Sequence, residues 1–461
     1  MTKPMEVDAV VVGSGQAAPA LCVALAQRGE KVVLVEAGWV GGSCVNYGCT
    51  PTKTLRKSAR IAHMARRAAE FGVHVGNVEV DFAAAMDRMQ SRVDTSRHGL
   101  ESWIAGESNI TLLRGWGSFA GGSQGAFDLM AGDQPVRAQR VYLNTGTRAF
   151  IPPIPDIGDV PYLDNVSLLK LRERPKHLIV IGGSYIGLEM GQIFRRLGSE
   201  VTVVETGPRI TSREDEEVSA CIASFLEEEG VTIVAGLPVT GVERTKEGGV
   251  AVALGSRRIE GSHVLVATGR LPNTEKLNLQ SVGVKMDERG FVPTNGRLET
   301  NVPGVWALGD INKRGAFTHT SYHDYEIVIA NRDGGHRSAD DRTMVYAMFT
   351  DPPLGRVGMS EAQARASGRK ILVATFDMKD VSRAKEESET TGLVKLLVDA
   401  DTGKFVGATV LGINGDEIIQ VVSNFMAAGA SWRVMKDALP VHPTVTEFFP
   451  TILGKLRPLG G

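Results

Sequence analysis

A chain of 461 residues is too long for one ordinary hydrophobic core, and its length predicts about three domains. With 43% hydrophobic residues, 53 glycines and no long charge run, it reads as a soluble α/β protein punctuated by glycine. A formal net charge of -2 excludes a strong field for nucleic acid or an anionic membrane, and no apolar run is long enough to span a bilayer.

Residues 7–12 form an apolar run that reads as a buried parallel strand, starting too early to leave room for a signal peptide. Gly13-Ser14-Gly15-Gln16-Ala17-Ala18 follows at once, then a helix to about Gln27, then a second strand over residues 31–36 that ends in Glu36. A lone glycine pattern carries little weight. Strand, loop, helix, strand and acid in this order predict a dinucleotide site in which Gly13, Gly15 and Ala18 let the backbone approach a pyrophosphate and Glu36 bonds a ribose hydroxyl.

The next stretch is Gly41-Gly42-Ser43-Cys44-Val45-Asn46-Tyr47-Gly48-Cys49-Thr50-Pro51-Thr52-Lys53. It reads as a run bending on glycines, with a helix starting at Thr50-Pro51, which puts Cys49 at the positive end of that helix. Such a position favours the thiolate, and Lys53 adds a second positive charge. The other two cysteines, Cys22 and Cys221, lie in helical patterns, and no Cys/His pair has zinc spacing, so no metal site is expected. A redox-active pair in a cytoplasmic chain is the expectation. The helical segment after it, residues 55–106, is rich in arginine, and these side chains read chiefly as solvated faces.

A Pro-rich stretch at residues 151–155 is a credible linker, and a second nucleotide unit begins behind it. Residues 177–181 are its strand, Gly182-Gly183-Ser184-Tyr185-Ile186-Gly187 its loop, and residues 200–205 the next strand, again closing on an acid, Glu205. Ser184 replaces the usual middle glycine. From residue 346 onward short strands alternate with helices, and the chain reaches His442-Pro443-Thr444-Val445-Thr446-Glu447. A histidine held by a glutamate is a tuned acid–base group.

The cysteine run, the two glycine units and the closing His-Pro motif resemble the signatures of the class I flavoprotein disulfide reductases, the family of dihydrolipoamide dehydrogenase, glutathione reductase and mercuric reductase. The resemblance covers essentially the whole chain. It implies an α/β fold with two Rossmann-like dinucleotide-binding domains plus a C-terminal α+β dimerisation domain. Residues 1–150 would be the first part of an FAD-binding domain, 151–270 the NAD(P)H-binding domain, 271–341 the second part of the FAD domain and 342–461 the dimerisation domain. FAD is implied in the first unit, with Thr145, Gly146 and Gly269 on the strands that close and rejoin it, Asp310 on the ribitol chain and His319 at a helix whose N-terminus faces the flavin. Lys53 and Glu189 match the ion pair that tunes the flavin, and Tyr185 the aromatic that covers the nicotinamide pocket. In the second unit Glu205 favours NADH by accepting the ribose diol and repelling the extra phosphate of NADPH, although Arg209 and Arg213 just beyond it keep NADPH possible.

By the same resemblance Cys49 lies against the flavin, Cys44 exchanges with a small disulfide substrate, and His442, oriented by Glu447, comes from the partner subunit of a homodimer whose active site is shared. Two other readings stand beside this one. Reduction of a metal ion, as in mercuric reductase, or of a quinone is the first; mercuric chemistry is not expected, because that enzyme carries a tyrosine in place of His442 and a C-terminal cysteine pair, whereas the last cysteine here is Cys221. The second is a non-catalytic flavin redox sensor, which would need neither cysteine nor His442.

Overall fold

The computed structural model describes residues 3–460, which fall into two compact units. The first takes the chain up to Thr54, then Ala83–Ile151 and Gly269–Arg342; the second takes Leu55–Phe82, Pro152–Thr268 and the chain from Thr343.

In the first unit the parallel strands run in the order Ile110–Arg114, Val32–Glu36, Met5–Val12, Gln134–Leu143. Val305–Ala307 adds in parallel to the last of these, and the hairpin Gly117–Ser123/Ala126–Ala131 adds antiparallel. Both faces are buried: Val10, Val12, Val33 and Val35 enter one core, and Ala9, Val11, Val32 and Leu34 the other. This is why the strands read as continuous apolar runs rather than alternating ones. Register pairs Val12 with both Val35 and Leu143, so the strand ends carrying Gly13, Glu36 and Asn144-Thr145-Gly146 come out side by side. The helix Ala18–Ala26, buried almost throughout, springs from the same edge. That edge is where open α/β sheets bind ligands.

The second unit contains a parallel sheet in the order Val231–Ala235, Glu200–Glu205, His177–Ile181, His263–Val266, with a three-stranded antiparallel sheet following the second nucleotide strand pair. It also contains a six-stranded antiparallel sheet whose two central strands, Leu393–Asp399 and Phe405–Leu411, are buried at every residue. The helix Gly415–Ala427 covers that sheet through Ile418, Ile419 and Val422. Among the described residues no helix is long and apolar enough to cross a membrane.

Two local expectations are corrected. The helical segment after the cysteines is interrupted: the helix Cys49–Arg67 ends in a short turn at Ala68–Phe71, and an irregular stretch precedes the helix Phe82–Ala105. Its arginines are only partly solvated: Arg66, Arg88 and Arg92 are exposed, whereas Arg56 and Arg60 reach buried partners. Arg56 donates to the Thr350 carbonyl at 2.8 Å, Arg60 pairs with Asp351 and Glu389, Arg66 donates to the Arg196 carbonyl at 2.7 Å, and Arg67 pairs with Glu70 at 2.8 Å.

Asp351 is the centre of this network, within the second unit. Arg196, Arg60 and Arg56 converge on its carboxylate, and Gln192 brackets its backbone, accepting from the N–H and donating to the carbonyl, each at 2.8 Å. Burial alone would raise the Asp351 carboxyl, but the charges of Arg196 and Arg60 outweigh it and hold the group below the usual carboxylate range. Its stabilising contribution is therefore complete above the unfolded carboxylate value, about 3.9, and is lost as pH falls through the lower folded value. Asp351→Asn removes one of the two carboxylates paired with Arg196, whose side chain is 5% exposed, and leaves Glu229 as the other. Because Arg196 keeps Glu229 and Arg60 keeps Glu389, urea unfolding should show a loss of about 1.5–3 kcal/mol at neutral pH, shrinking under acid conditions.

Candidate active site

The cysteine stretch folds as two helices and not as a bend with one. Gly41 and Gly42 adopt φ of 98° and 60°, and a Cβ on Gly42 would lie 3.0 Å from the Gly15 Cα, so only glycine lets this turn approach the first glycine loop. A short helix, Gly42–Tyr47, carries Cys44; Gly48 breaks it, and Cys49 opens the next helix, Cys49–Arg67. Asn46, buried between the cysteines, donates to the carbonyls of Val40 at 3.0 Å and Gly42 at 2.9 Å and so pins the first helix to the turn.

The two sulfurs are not joined in a disulfide, and Cys44 is hydrogen-bonded to Cys49. That bond to Cys49, followed by burial, pushes the Cys44 thiol up, which keeps Cys44 protonated. Cys49 Sγ also lies 3.0 Å from Thr318 Oγ1, at the first turn of the helix Thr318–Arg332. Thr318 was missed in the sequence. A separation of 269 residues hides the contact, and the only signal was that a helix starts there. The Thr318 hydroxyl is within reach to donate to a Cys49 thiolate and would favour that form, so Thr318→Val should slow alkylation of Cys49 in the reduced protein by about tenfold at neutral pH, as read by iodoacetamide labelling and peptide mapping.

The remaining first-unit residues gather round the same sheet edge. Gly13 turns at φ 87°, and a Cβ there would lie 2.6 Å from the Asn144 carbonyl oxygen; a Cβ on Gly15 would lie 2.5 Å from Asn144 Oδ1. Ala18 is fully buried. The Glu36 carboxylate accepts from the Ser14 N–H at 2.8 Å, the Ser14 hydroxyl at 2.6 Å and the Gly38 N–H at 2.6 Å, which holds it across the mouth of the loop. Thr145 donates to the Asn273 carbonyl at 3.0 Å, and the Phe150 N–H donates to the Gly269 carbonyl at 2.9 Å, tying the returning strand to the one that left. Asp310 accepts from the Thr147 hydroxyl at 2.9 Å; burial raises its carboxyl, against the pull of Arg270. His319 is exposed and stacks on Phe317, 5.5 Å between ring centroids.

The second unit repeats the arrangement. Glu205 accepts from the Gly183 N–H at 2.8 Å and the Gly207 N–H at 2.7 Å, as Glu36 does in the first. Gly182 turns at φ 117° against the Ala267 carbonyl, Gly187 packs on the Gly182 carbonyl, and Ser184 stands exposed immediately before the helix Tyr185–Arg196. Lys53 lies one turn into the cysteine helix, half-buried. Glu189, on the helix Tyr185–Arg196, is buried and accepts from the Phe349 N–H at 2.8 Å.

Glu447 reaches His442 Nδ1 at 2.7 Å, and its own N–H is caught by Thr444 Oγ1 at 3.2 Å, which fixes the carboxylate against the ring. The imidazole is 78% exposed and Glu447 13%; Leu439 and Val441 beside it are 98% and 74% exposed. An oriented acid–base group thus stands clear of its own chain among uncovered apolar residues.

These cradles fit dinucleotides. In each unit the positions facing the loop admit no Cβ, an N–H-lined turn opens onto a helix N-terminus, and a carboxylate closes the pocket. In the first unit the buried Asn46 Oδ1 and Asn144 Oδ1 have no protein donor, acceptor positions that a bound cofactor or water would fill.

Comparison with known proteins agrees. Residues 7–324 match the pyridine nucleotide-disulphide oxidoreductase family and residues 344–452 its dimerisation domain. The chain is 34% identical, over 95% of its length and 97% of the relative's, to the probable pyridine nucleotide-disulfide oxidoreductase RclA of Escherichia coli. The solved structure of that protein, described as a Cu(II) complex of an HOCl-induced flavoprotein disulfide reductase, superposes with a TM-score of 0.89 at 33% identity, covering 97% of this chain and all of that one. Identity is 34% to the mercuric reductase of Streptomyces lividans, over 95% and 93% of the two chains, and 32% to the mitochondrial dihydrolipoyl dehydrogenase of Pisum sativum, over 96% and 90%. The chain belongs to the pyridine nucleotide-disulphide oxidoreductase family, homodimeric flavoprotein disulfide oxidoreductases that use FAD and NAD(P)H.

Proposed function

We infer that the protein reduces a small disulfide with NADH in the cytoplasm. The first unit would hold FAD, through Gly13, Gly15, Ala18, Glu36, Thr145, Gly146, Gly269, Asp310 and His319; residues 151–270 would hold the nicotinamide, through Gly182, Ser184, Tyr185, Gly187 and Glu205; residues 342–461 would form the dimer interface. FAD, when bound, links the hydride of a dinucleotide to the two electrons that a disulfide accepts. By the family resemblance Lys53 and Glu189 would tune it, and Tyr185 would cover the nicotinamide pocket until the dinucleotide arrives.

The observation that carries this reading is the pairing of Cys44 with Cys49 across the break between two helices, Cys49 Sγ lying 3.0 Å from Thr318 Oγ1 and the Cys44 thiol kept protonated. Cys44 must lose that proton to attack, and the partner subunit's His442, oriented by its Glu447, takes it. The Cys44 thiolate then forms a mixed disulfide with one substrate sulfur, and the other leaves as a thiol with the proton from the imidazole. Cys49 attacks the Cys44 sulfur of the mixed disulfide, its proton passes by way of the same imidazole to the second substrate sulfur, which departs as a thiol, and the Cys44–Cys49 disulfide that remains is reduced again with the two electrons of NADH.

Anaerobic NADH should produce a long-wavelength thiolate-to-flavin band, and a panel of lipoamide, glutathione, cystine and coenzyme A disulfide should reveal turnover. Plain bleaching without that band would overturn the disulfide reading. Glu205, held by two N–H groups on the ribose side of its loop, supports NADH, and a specificity constant larger for NADPH would reverse that preference. A second reading, reduction of Cu(II), is favoured by the Cu(II) complex of the Escherichia coli relative and by two thiols beside a hydroxyl, a soft donor set for copper. NADH-dependent formation of a Cu(I)–chelator complex under argon measures it.

A further inference from the structure

Tyr185 opens the helix behind the second glycine loop, and its hydroxyl donates to Glu214 Oε1 at 2.6 Å. Tyr346 donates to the same oxygen at 2.8 Å, and Arg356 donates to Oε2 at 2.9 Å. The Glu214 side chain is wholly buried, and Arg356 is 3% exposed. The two tyrosine rings lie 5.7 Å apart. Burial, and after it the Glu214 charge, raises both phenols, so both remain donors throughout the neutral range.

The segment that carries Glu214 is docked on the loop itself. The Thr211 N–H donates to the Gly183 carbonyl at 2.8 Å, and Arg209 donates to the Glu214 carbonyl at 2.9 Å. Thr211 sits at φ 44°, a left-handed conformation that a β-branched residue rarely adopts, and such strain gathers at functional segments. Three donors on one buried carboxylate also have a consequence for motion. Were Tyr185 the only donor on Oε1, its departure would leave a buried oxygen unsatisfied, a heavy cost. With Tyr346 and Arg356 staying behind, Glu214 remains paired and Tyr185 can leave.

We propose that Glu214 and Tyr346 form a releasable latch on Tyr185 that sets how readily the dinucleotide site accepts NAD(H). The latch rests on the reading of Tyr185 as the cover of the nicotinamide pocket. Glu214 and Tyr346 are positioning residues, acting only through Tyr185. Their signature is a pair of opposite signs: removing the Tyr185 hydroxyl frees the ring, whereas removing the Tyr346 hydroxyl makes release costlier.

Isothermal titration of the FAD-loaded, oxidised dimer with NAD+ tests this without turnover. Tyr185→Phe should bind several-fold more tightly, by about fivefold, and Tyr346→Phe more weakly, by about tenfold. Added to Tyr185→Phe, the Tyr346→Phe change should have no further effect, because the latch is already gone. Equal affinities for Tyr346→Phe and wild type, shifts of the same sign, or additive effects in the double variant would overturn the latch. Tyr185→Ala separates the two failures: unchanged NAD+ affinity removes Tyr185 from the site and overturns the cover reading as well, whereas a changed affinity beside an inert Tyr346→Phe sinks the latch alone.

Discussion

Cys44→Ser should lose disulfide turnover by at least about a thousandfold, because the serine hydroxyl cannot form the mixed disulfide that begins the exchange. The same variant should keep, and even accentuate, the long-wavelength band after dithiothreitol treatment. The proton that Cys44 holds against Cys49 disappears with the sulfur, and Thr318 still faces the Cys49 sulfur at 3.0 Å. Cys49→Ser should lose both turnover and band. Stopped-flow absorbance of the two variants, beside steady-state assays, assigns the interchange and the flavin-side thiol in one experiment; a band that persists in Cys49→Ser would reverse the assignment.

The second large effect falls at the other end of the chain. His442→Gln removes the group that accepts the Cys44 proton and should lower turnover by about two to four orders of magnitude while the first half, reduction of the enzyme by NADH, proceeds at its usual rate. Glu447→Gln keeps a hydrogen bond to the ring but withdraws the charge 2.7 Å from Nδ1, and should cost about ten- to a hundredfold. Rapid-mixing of NADH with enzyme separates the halves. Slow reduction by NADH in His442→Gln would place the imidazole in a different step.

What could be read in advance followed from physics that is local in the chain. Both nucleotide units were visible because strand, glycine loop and helix succeed one another within some thirty residues, and the acids at Glu36 and Glu205 are the last residues of their strands. The members of the dyad, His442 and Glu447, lie only five positions apart in the chain. Less legible was the helix holding Cys44: Gly41 and Gly42 suggested only a bend, and the close approach to Gly15 that requires them involves a separate segment. Thr318 against Cys49, three arginines on Asp351 and two tyrosines on Glu214 were invisible for the same reason. Each joins residues far apart in sequence, and a polar side chain that will be buried among partners looks, in the sequence, like one bound for solvent. The arginine run after the cysteines shows the cost of that ambiguity, since Arg56 and Arg60 serve the interior.

The bareness of the stretch around His442, with Leu439 and Val441 uncovered beside it, has a genetic consequence. If each imidazole serves the neighbouring chain, two dead alleles need not make a dead cell: a Cys44→Ser chain and a His442→Gln chain that pair at random yield hybrids with one sound centre and one doubly damaged, restoring about a quarter of wild-type rate. Neither allele could be rescued by more of itself. Dilution below the dimer dissociation constant should silence even the unaltered enzyme, because a solitary chain carries each half of the chemistry with its counterpart missing.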